Sequence, residues 1–173
     1  MTGVSIDPAD ARAFPGFSQL DDRSIDDLRA RMRPIRLQPG ETLFHRGEPD
    51  ASLYLLVRGS VDIVETAGDR PVATRRARTV VGELGLLLNV PRTATVVAST
   101  EALCWEITQQ TFNSAIERAE PWAARLALAI ASELAHRFVD VRAELTQLDA
   151  DGPAHKPAEL EQLRTRLLAE WAF

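Results

Sequence analysis

Residues 81–98 read Val81-Gly82-Glu83-Leu84-Gly85-Leu86-Leu87-Leu88-Asn89-Val90-Pro91-Arg92-Thr93-Ala94-Thr95-Val96-Val97-Ala98. A strand-like pair of valines runs into Gly82-Glu83, an apolar stretch large enough for one helical turn follows, and Pro91-Arg92 leads into an alternating strand from Thr93 to Ala98. A chain that leaves a strand, makes one turn of helix and returns to a strand folds around a cavity. The residue types name what the cavity suits. Glycine lets backbone approach a ligand closely, and the first N–H groups of a helix have no partner within it, so they face outward as anion donors. Arg92 adds a planar fork of donors matched to phosphate. A carboxylate such as Glu83 is repelled by that phosphate unless it accepts a hydrogen bond from another part of the same ligand, as from a sugar hydroxyl. Together these residues describe a site for a phosphorylated sugar. The plainer alternative is an internal ion pair between Glu83 and Arg92 across an ordinary hairpin.

The flanking chain is read as short strands. Ile35 to Gln38, Thr42 to His45, Ser52 to Val57, Val61 to Val64, Pro71 to Arg75, Thr93 to Ala98 and Ala102 to Ile107 alternate or carry strand-forming residues, with turns at Pro39-Gly40, Gly47 to Asp50 and Ala67 to Asp69 between them. Short strands at this spacing predict an antiparallel sandwich or barrel. Helices are expected on both sides. Gln19 to Met32 carries Leu20, Ile25, Leu28 and Met32 at helical spacing, ended by Pro34; Thr108 caps a helix from Gln109 to about Arg118; and Pro121 opens a long one to about Leu148. The stripe Leu134, Phe138, Val141, Leu145, Leu148 on that helix follows 4-3-4-3 spacing, which predicts pairing with a second copy. A last amphipathic helix, Ala158 to Phe173 with Leu160, Leu163, Leu167, Leu168 and Trp171, follows the breakers Gly152, Pro153 and Pro157. The expected organisation is a loose N-terminus (1–16), one domain with its flanking helices (17–148), and a linker with a final helix (149–173).

The stretch resembles the phosphate-binding cassette of cyclic nucleotide-binding domains, as in catabolite-activator-type regulators, cyclic-nucleotide-dependent kinases and gated channels. Gly82, Glu83, Leu84, Gly85, Leu86, Pro91, Arg92, Thr93, Ala94 and Val96 fall in register with that pattern, and Pro39 to Glu48 and Leu53 to Val61 match its glycine-punctuated first half. The resemblance implies a mainly β fold with flanking α, a double-stranded β-helix or jelly-roll barrel with an N-terminal helix and long C-terminal helices. It further implies that Glu83 takes the ribose 2′-hydroxyl, Arg92 the cyclic phosphate, and Thr93, with backbone around Gly82, Leu84, Gly85 and Ala94, the remaining oxygens. Three features depart from the pattern. Thr74-Arg75-Arg76-Ala77-Arg78-Thr79 stands where a Gly-Asp-like turn is usual, and its three arginines are read as a solvated loop, with an extra anion contact as the alternative. Val81 stands where an aromatic is common, and the long helix reads Val139-Asp140-Val141-Arg142 where a base-contacting Ser or Thr is expected, leaving Arg142 as the candidate base contact. The Gly-Glu-Leu-Gly-Leu run is most similar to the bacterial regulators and favours cAMP, with cGMP possible.

Composition bounds the remaining possibilities. At 173 residues, 45% hydrophobic and 26% charged, the chain has the make-up of a globular protein with one substantial core. A net charge of −5 argues against general DNA affinity, and the residues from Asp149 to Phe173 are too few for a winged helix-turn-helix. No direct DNA contact is therefore expected. Met1 to Pro15 has no apolar run, and Trp122 to Ala131 is too short to span a bilayer, so a cytoplasmic location and no membrane partner are expected. Cys104 is read as a buried inert thiol. His45, His136 and His155 lie far apart with no cysteine cluster, so no metal is expected. No nucleophile–base pair or paired carboxylates stand out, which leaves a non-enzymatic sensor without cofactor, acting on an unknown effector protein. The alternative is a degenerate domain kept for ligand-independent dimerisation or docking.

Overall fold

The computed structural model describes residues 11–14, 17–64 and 70–150. Among these residues eight antiparallel strands form two four-stranded sheets. The strands are β1 (Arg33–Leu37), β2 (Thr42–Phe44), β3 (Leu53–Arg58), β4 (Ser60–Val64), β5 (Ala73–Arg76), β6 (Thr79–Val81), β7 (Thr95–Ala98) and β8 (Ala102–Ile107). One sheet has the order β1-β8-β3-β6 and the other β2-β7-β4-β5, so sequence neighbours repeatedly land in opposite sheets. That is the jelly-roll arrangement implied above.

The period-2 geometry of strands explains why β3 and β8 are buried on both faces. Leu53 and Leu55, with Trp105 and Ile107, pack outward into a cluster with the helices. Tyr54 and Leu56, with Ala102 and Cys104, point into the space between the sheets alongside Phe44, Val61, Ile63, Val81 and Val96. Burial pushes the Cys104 thiol up to about 12, which keeps it a protonated, inert side chain. At the β3–β4 turn Gly59 adopts φ +85, and a Cβ there would lie 2.9 Å from Ala102 Cα, so only glycine passes.

Helix α1 (Asp22–Arg29) is shorter than the expected Gln19 to Met32. The backbone N–H of Ser24 donates to Asp21 Oδ1 at 2.9 Å, so Asp21 caps the helix and the preceding Phe17–Gln19 is only a 3-10 turn. Pro34 does not end the helix. It lies within β1, at the edge of its sheet, where a missing N–H is tolerated. Ala11 and Phe14, in the stretch expected to be loose, are buried in the core. The final helix expected at 158–173 lies outside the described residues.

Helix α2 (Glu83–Leu88) is the cassette turn, α3 (Gln109–Glu117) is capped by Thr108 as expected, and α4 runs over Pro121–Ala150. The first turns of α4 bury Trp122, Ala123, Leu126 and Ile130 against Phe17, Ile25 and Leu28. Each large side chain buried this way contributes about 1.5–3 kcal/mol. Polar contacts fix the same junction: Arg125 pairs with Asp21, and Arg31 Nη2 lies 2.6 Å from Glu120 Oε2. Beyond Leu134, which still packs on this core, α4 turns exposed at Phe138 and Val139. The side chains of Val141, Leu145 and Leu148 lie outside the described residues.

Candidate functional site

Strand β6 delivers the chain to Gly82, whose φ of +87 turns it sharply into α2. Asn89, also left-handed, ends α2 with its N–H on the Gly85 carbonyl at 2.9 Å. Six residues later the chain is back in β7, and Arg92 lies between. Its backbone is held on both sides: the N–H donates to the Glu48 carbonyl at 2.9 Å, and its carbonyl accepts the Gly47 N–H at 2.8 Å. The turn Gly47 to Asp50, which follows β2, the neighbour of β7 in its sheet, therefore braces the arginine.

The Arg92 side chain is 0% exposed. A buried guanidinium needs both charge compensation and donors' partners. Asp50 supplies the charge, with Oδ2 at 2.8 Å from Nη2. Phe44 lies under the guanidinium at 4.1 Å from the ring centroid and Tyr54 at 5.4 Å, the two rings stacked 5.7 Å apart. The other end of the fork faces the cassette. Nη1 is 3.4 Å from the Gly82 carbonyl oxygen, and a Cβ on Gly82 or Gly85 would lie 2.5 or 3.3 Å from Nη1. The two glycines thus let the guanidinium pack directly against the cassette backbone, where any larger residue would displace it.

Asp50 keeps its charge in this setting. Partial burial alone would push its carboxyl up, but hydrogen bonds from Ser52 and Arg92 and the arginine's charge outweigh it and hold it below the ordinary value. Ser52 Oγ donates to Oδ1 at 3.0 Å.

Of the residues expected from sequence, Gly82, Glu83, Gly85 and Arg92 are brought together and buried, and Ala94 is buried beside them in the inter-sheet core. Glu83, at the first position of α2, is 2% exposed. Leu84 is half-buried and Thr93 exposed. Arg142 is elsewhere: it is exposed far along α4, beside Phe138, Val139, Ala143 and Thr146. The three arginines before the cassette are not a loop, since Arg75 and Arg76 belong to β5 and Arg78 makes a tight turn at φ +71. Asp50, Phe44 and Tyr54 were not expected at the site. A buried arginine implies an acid and a platform, but neither is near Arg92 in sequence.

A family model described as the cyclic nucleotide-binding domain matches residues 34–119, which include the cassette and every strand but the start of β1. The solved N-terminal domain of a transcriptional regulator from Streptomyces coelicolor A3(2) is similar at a TM-score of 0.65 and 30% identity, covering 77% of this chain and 94% of that one. The chain belongs to the cyclic nucleotide-binding domain family.

Curated relatives of this domain are longer. Acetyltransferase Pat of Mycolicibacterium smegmatis is 29% identical over 113 residues, which is 64% of this chain and 34% of that protein. The cAMP-dependent protein kinase type II regulatory subunit of Drosophila melanogaster is 30% identical over 97 residues, 56% of this chain and 25% of that subunit. The chain therefore spans about a third or less of the length of these relatives. Among the described residues no group of three His, Cys, Asp or Glu side chains could hold a metal, and no helix is long and apolar enough to cross a membrane.

Proposed function

We propose that this cyclic nucleotide-binding domain is a regulatory sensor that takes cAMP in preference to cGMP, relays binding to its C-terminal helices and leaves any chemistry to a separate effector. The observation that carries the reading is Arg92: fully buried, braced at one end by Asp50, with its other end packed directly against Gly82 and Gly85 of the cassette. A cyclic phosphate seated there gains charge-assisted hydrogen bonds from Nη1 and from cassette N–H groups around Gly85 and Ala94. Glu83 is assigned to the ribose 2′-hydroxyl, and Thr93 to a remaining phosphate oxygen. The expected test uses 2′-deoxy-cAMP. It should bind the native protein about ten-fold more weakly than cAMP, the loss of one hydrogen bond to a charged group, and the difference should vanish in Glu83→Ala. Equal affinities for the two ligands in the native protein would remove Glu83 from this role.

A route for the relay is supported by two contacts. Gln109 Nε2, at the start of α3, donates to Asn89 Oδ1 at the end of α2 at 2.6 Å, and Leu86 of α2 shares a core with Trp122, Leu126 and Ile130 of α4. A ligand that draws α2 inward biases both helices, provided they prefer different positions with and without it.

The far half of α4 is assigned to a homodimer contact around Leu134 to Leu148, supported by Phe138 and Val139, which are 57% and 60% exposed. Arg142 lies one turn from Phe138 on the same face and would reach a base held by the partner. Sedimentation should show a dimer that Phe138→Glu converts to monomer; a monomeric native protein at high concentration would refute the contact. A ligand-independent dimerisation module is the second reading, favoured by the Asp50 carboxylate already occupying one end of Arg92.

A further inference from the structure

Asp50 pins one end of the Arg92 guanidinium from a turn at the edge of the site. Its side chain is half exposed; Ser52 holds Oδ1, while Oδ2, the oxygen that meets Arg92, faces a further donor. The strand register supplies that donor. Arg33 of β1, Glu106 of β8, Tyr54 of β3 and Val81 of β6 lie directly opposite one another across four adjacent strands, and Val81 is the residue before Gly82. This row runs from the outer edge of the sheet to the cassette.

Three of its members are polar, and two are buried. Glu106 and Tyr54 are each 4% exposed. Arg33, at the surface, pairs with Glu106 Oε2. The Tyr54 hydroxyl lies 3.2 Å from Glu106 Oε1 and 3.4 Å from Asp50 Oδ2. Burial, reinforced by the two carboxylates, drives the phenol's ionisation well above its ordinary range, so the hydroxyl always carries its proton. Both neighbours are acceptors only, and one proton serves both. A buried carboxylate in an otherwise apolar inter-sheet space is costly unless it is compensated, so Glu106 is unexplained by packing alone.

We propose that Tyr54 and Glu106 are positioning residues for nucleotide binding: Glu106, fixed by Arg33, orients the Tyr54 hydroxyl, which holds Asp50 where it pins one end of Arg92. The guanidinium then meets the phosphate already aimed. This rests on the sensor reading of the site.

The test is a set of cAMP titrations with a ligand-free readout beside them. Tyr54→Phe, which keeps the ring under Arg92, should lower affinity about five-fold, and Asp50→Ala about ten-fold. The double variant should be no weaker than Asp50→Ala, because the hydroxyl acts through that carboxylate. Glu106→Ala should match Tyr54→Phe, while Glu106→Gln, which keeps an acceptor for the hydroxyl, should retain native affinity. Multiplying losses in the double variant would overturn the proposal, since a merely structural role costs the same in either background. In the nucleotide-free protein the Arg92 Nε–H resonance should be sharp and should broaden in Tyr54→Phe. An unchanged resonance overturns the proposal even where binding falls. No cAMP binding by any variant, with the resonance still responding, sinks the sensor reading and leaves the hold on Arg92 standing.

Discussion

Replacing Arg92 with alanine is expected to lower cAMP affinity about 100-fold or more, while the domain stays folded. The binding loss follows from removing a planar donor pair to a phosphate in a sheltered site, where each charge-assisted hydrogen bond is worth about 1.5–3 kcal/mol. The folding cost is smaller. Arg92 loses its stacking on Phe44, about 1–2 kcal/mol for a desolvated cation over a ring, but Asp50 is half exposed and regains water once its partner is gone. Arg92→Lys separates charge from geometry. It keeps the cation but cannot reach Asp50 and the phosphate together, so an intermediate loss is expected. Titration and thermal unfolding of both variants check this; native-like affinity in Arg92→Ala would show that the phosphate is bound elsewhere.

Gly82→Ala should unfold or strongly weaken the site, at a cost of about 2–5 kcal/mol. Two terms add. Alanine at φ +87 pays about 1–2 kcal/mol for the left-handed conformation. Its Cβ would also meet the Ser52 carbonyl oxygen at 2.6 Å and Arg92 Nη1 at 2.5 Å, an overpacking term of about 1–3 kcal/mol. Relief by moving Arg92 would misaim the guanidinium, so affinity falls with stability. Gly40→Ala is the control: its φ is also +87, but a Cβ there meets nothing within 4 Å. It should cost only the conformational term and leave binding intact. Chemical denaturation of the two variants decides, and equal losses would show that crowding at Arg92 plays no part.

What could be read from the chain depended on whether the deciding contact was local. The short apolar runs Leu53 to Val57 and Ala102 to Ile107, bounded by turn residues, mark strands because strand-forming composition is a local property, and the cap at Thr108 and the start at Pro121 were legible for the same reason. The helix expected over Gln19 to Met32 was read too long, since hydrophobic spacing continued through Leu20 while the cap was made by Asp21. Pro34 was read as a helix stop because its tolerance in β1 depends on that strand being at a sheet edge.

The cassette itself was legible because Gly82 to Ala94 is one contiguous segment. Its supports were not. Asp50 reaches Arg92 across 42 positions, and in sequence it looks like one more turn residue after Pro49. Glu106 sits in a strand whose neighbours are all apolar, and its partners Arg33 and Tyr54 become neighbours only through the β1-β8-β3 order. Burial of these polar groups is a property of the sheet arrangement, which alternation alone does not specify.

The most direct test of the account is equilibrium dialysis of the native protein, first shown by mass spectrometry to carry no nucleotide, against labelled cAMP and labelled cGMP. The account predicts saturable binding of one cAMP per chain, weaker binding of cGMP, and displacement of the label by excess unlabelled cAMP. No retention of either nucleotide at high protein concentration would contradict it and leave the fold as a dimerisation module.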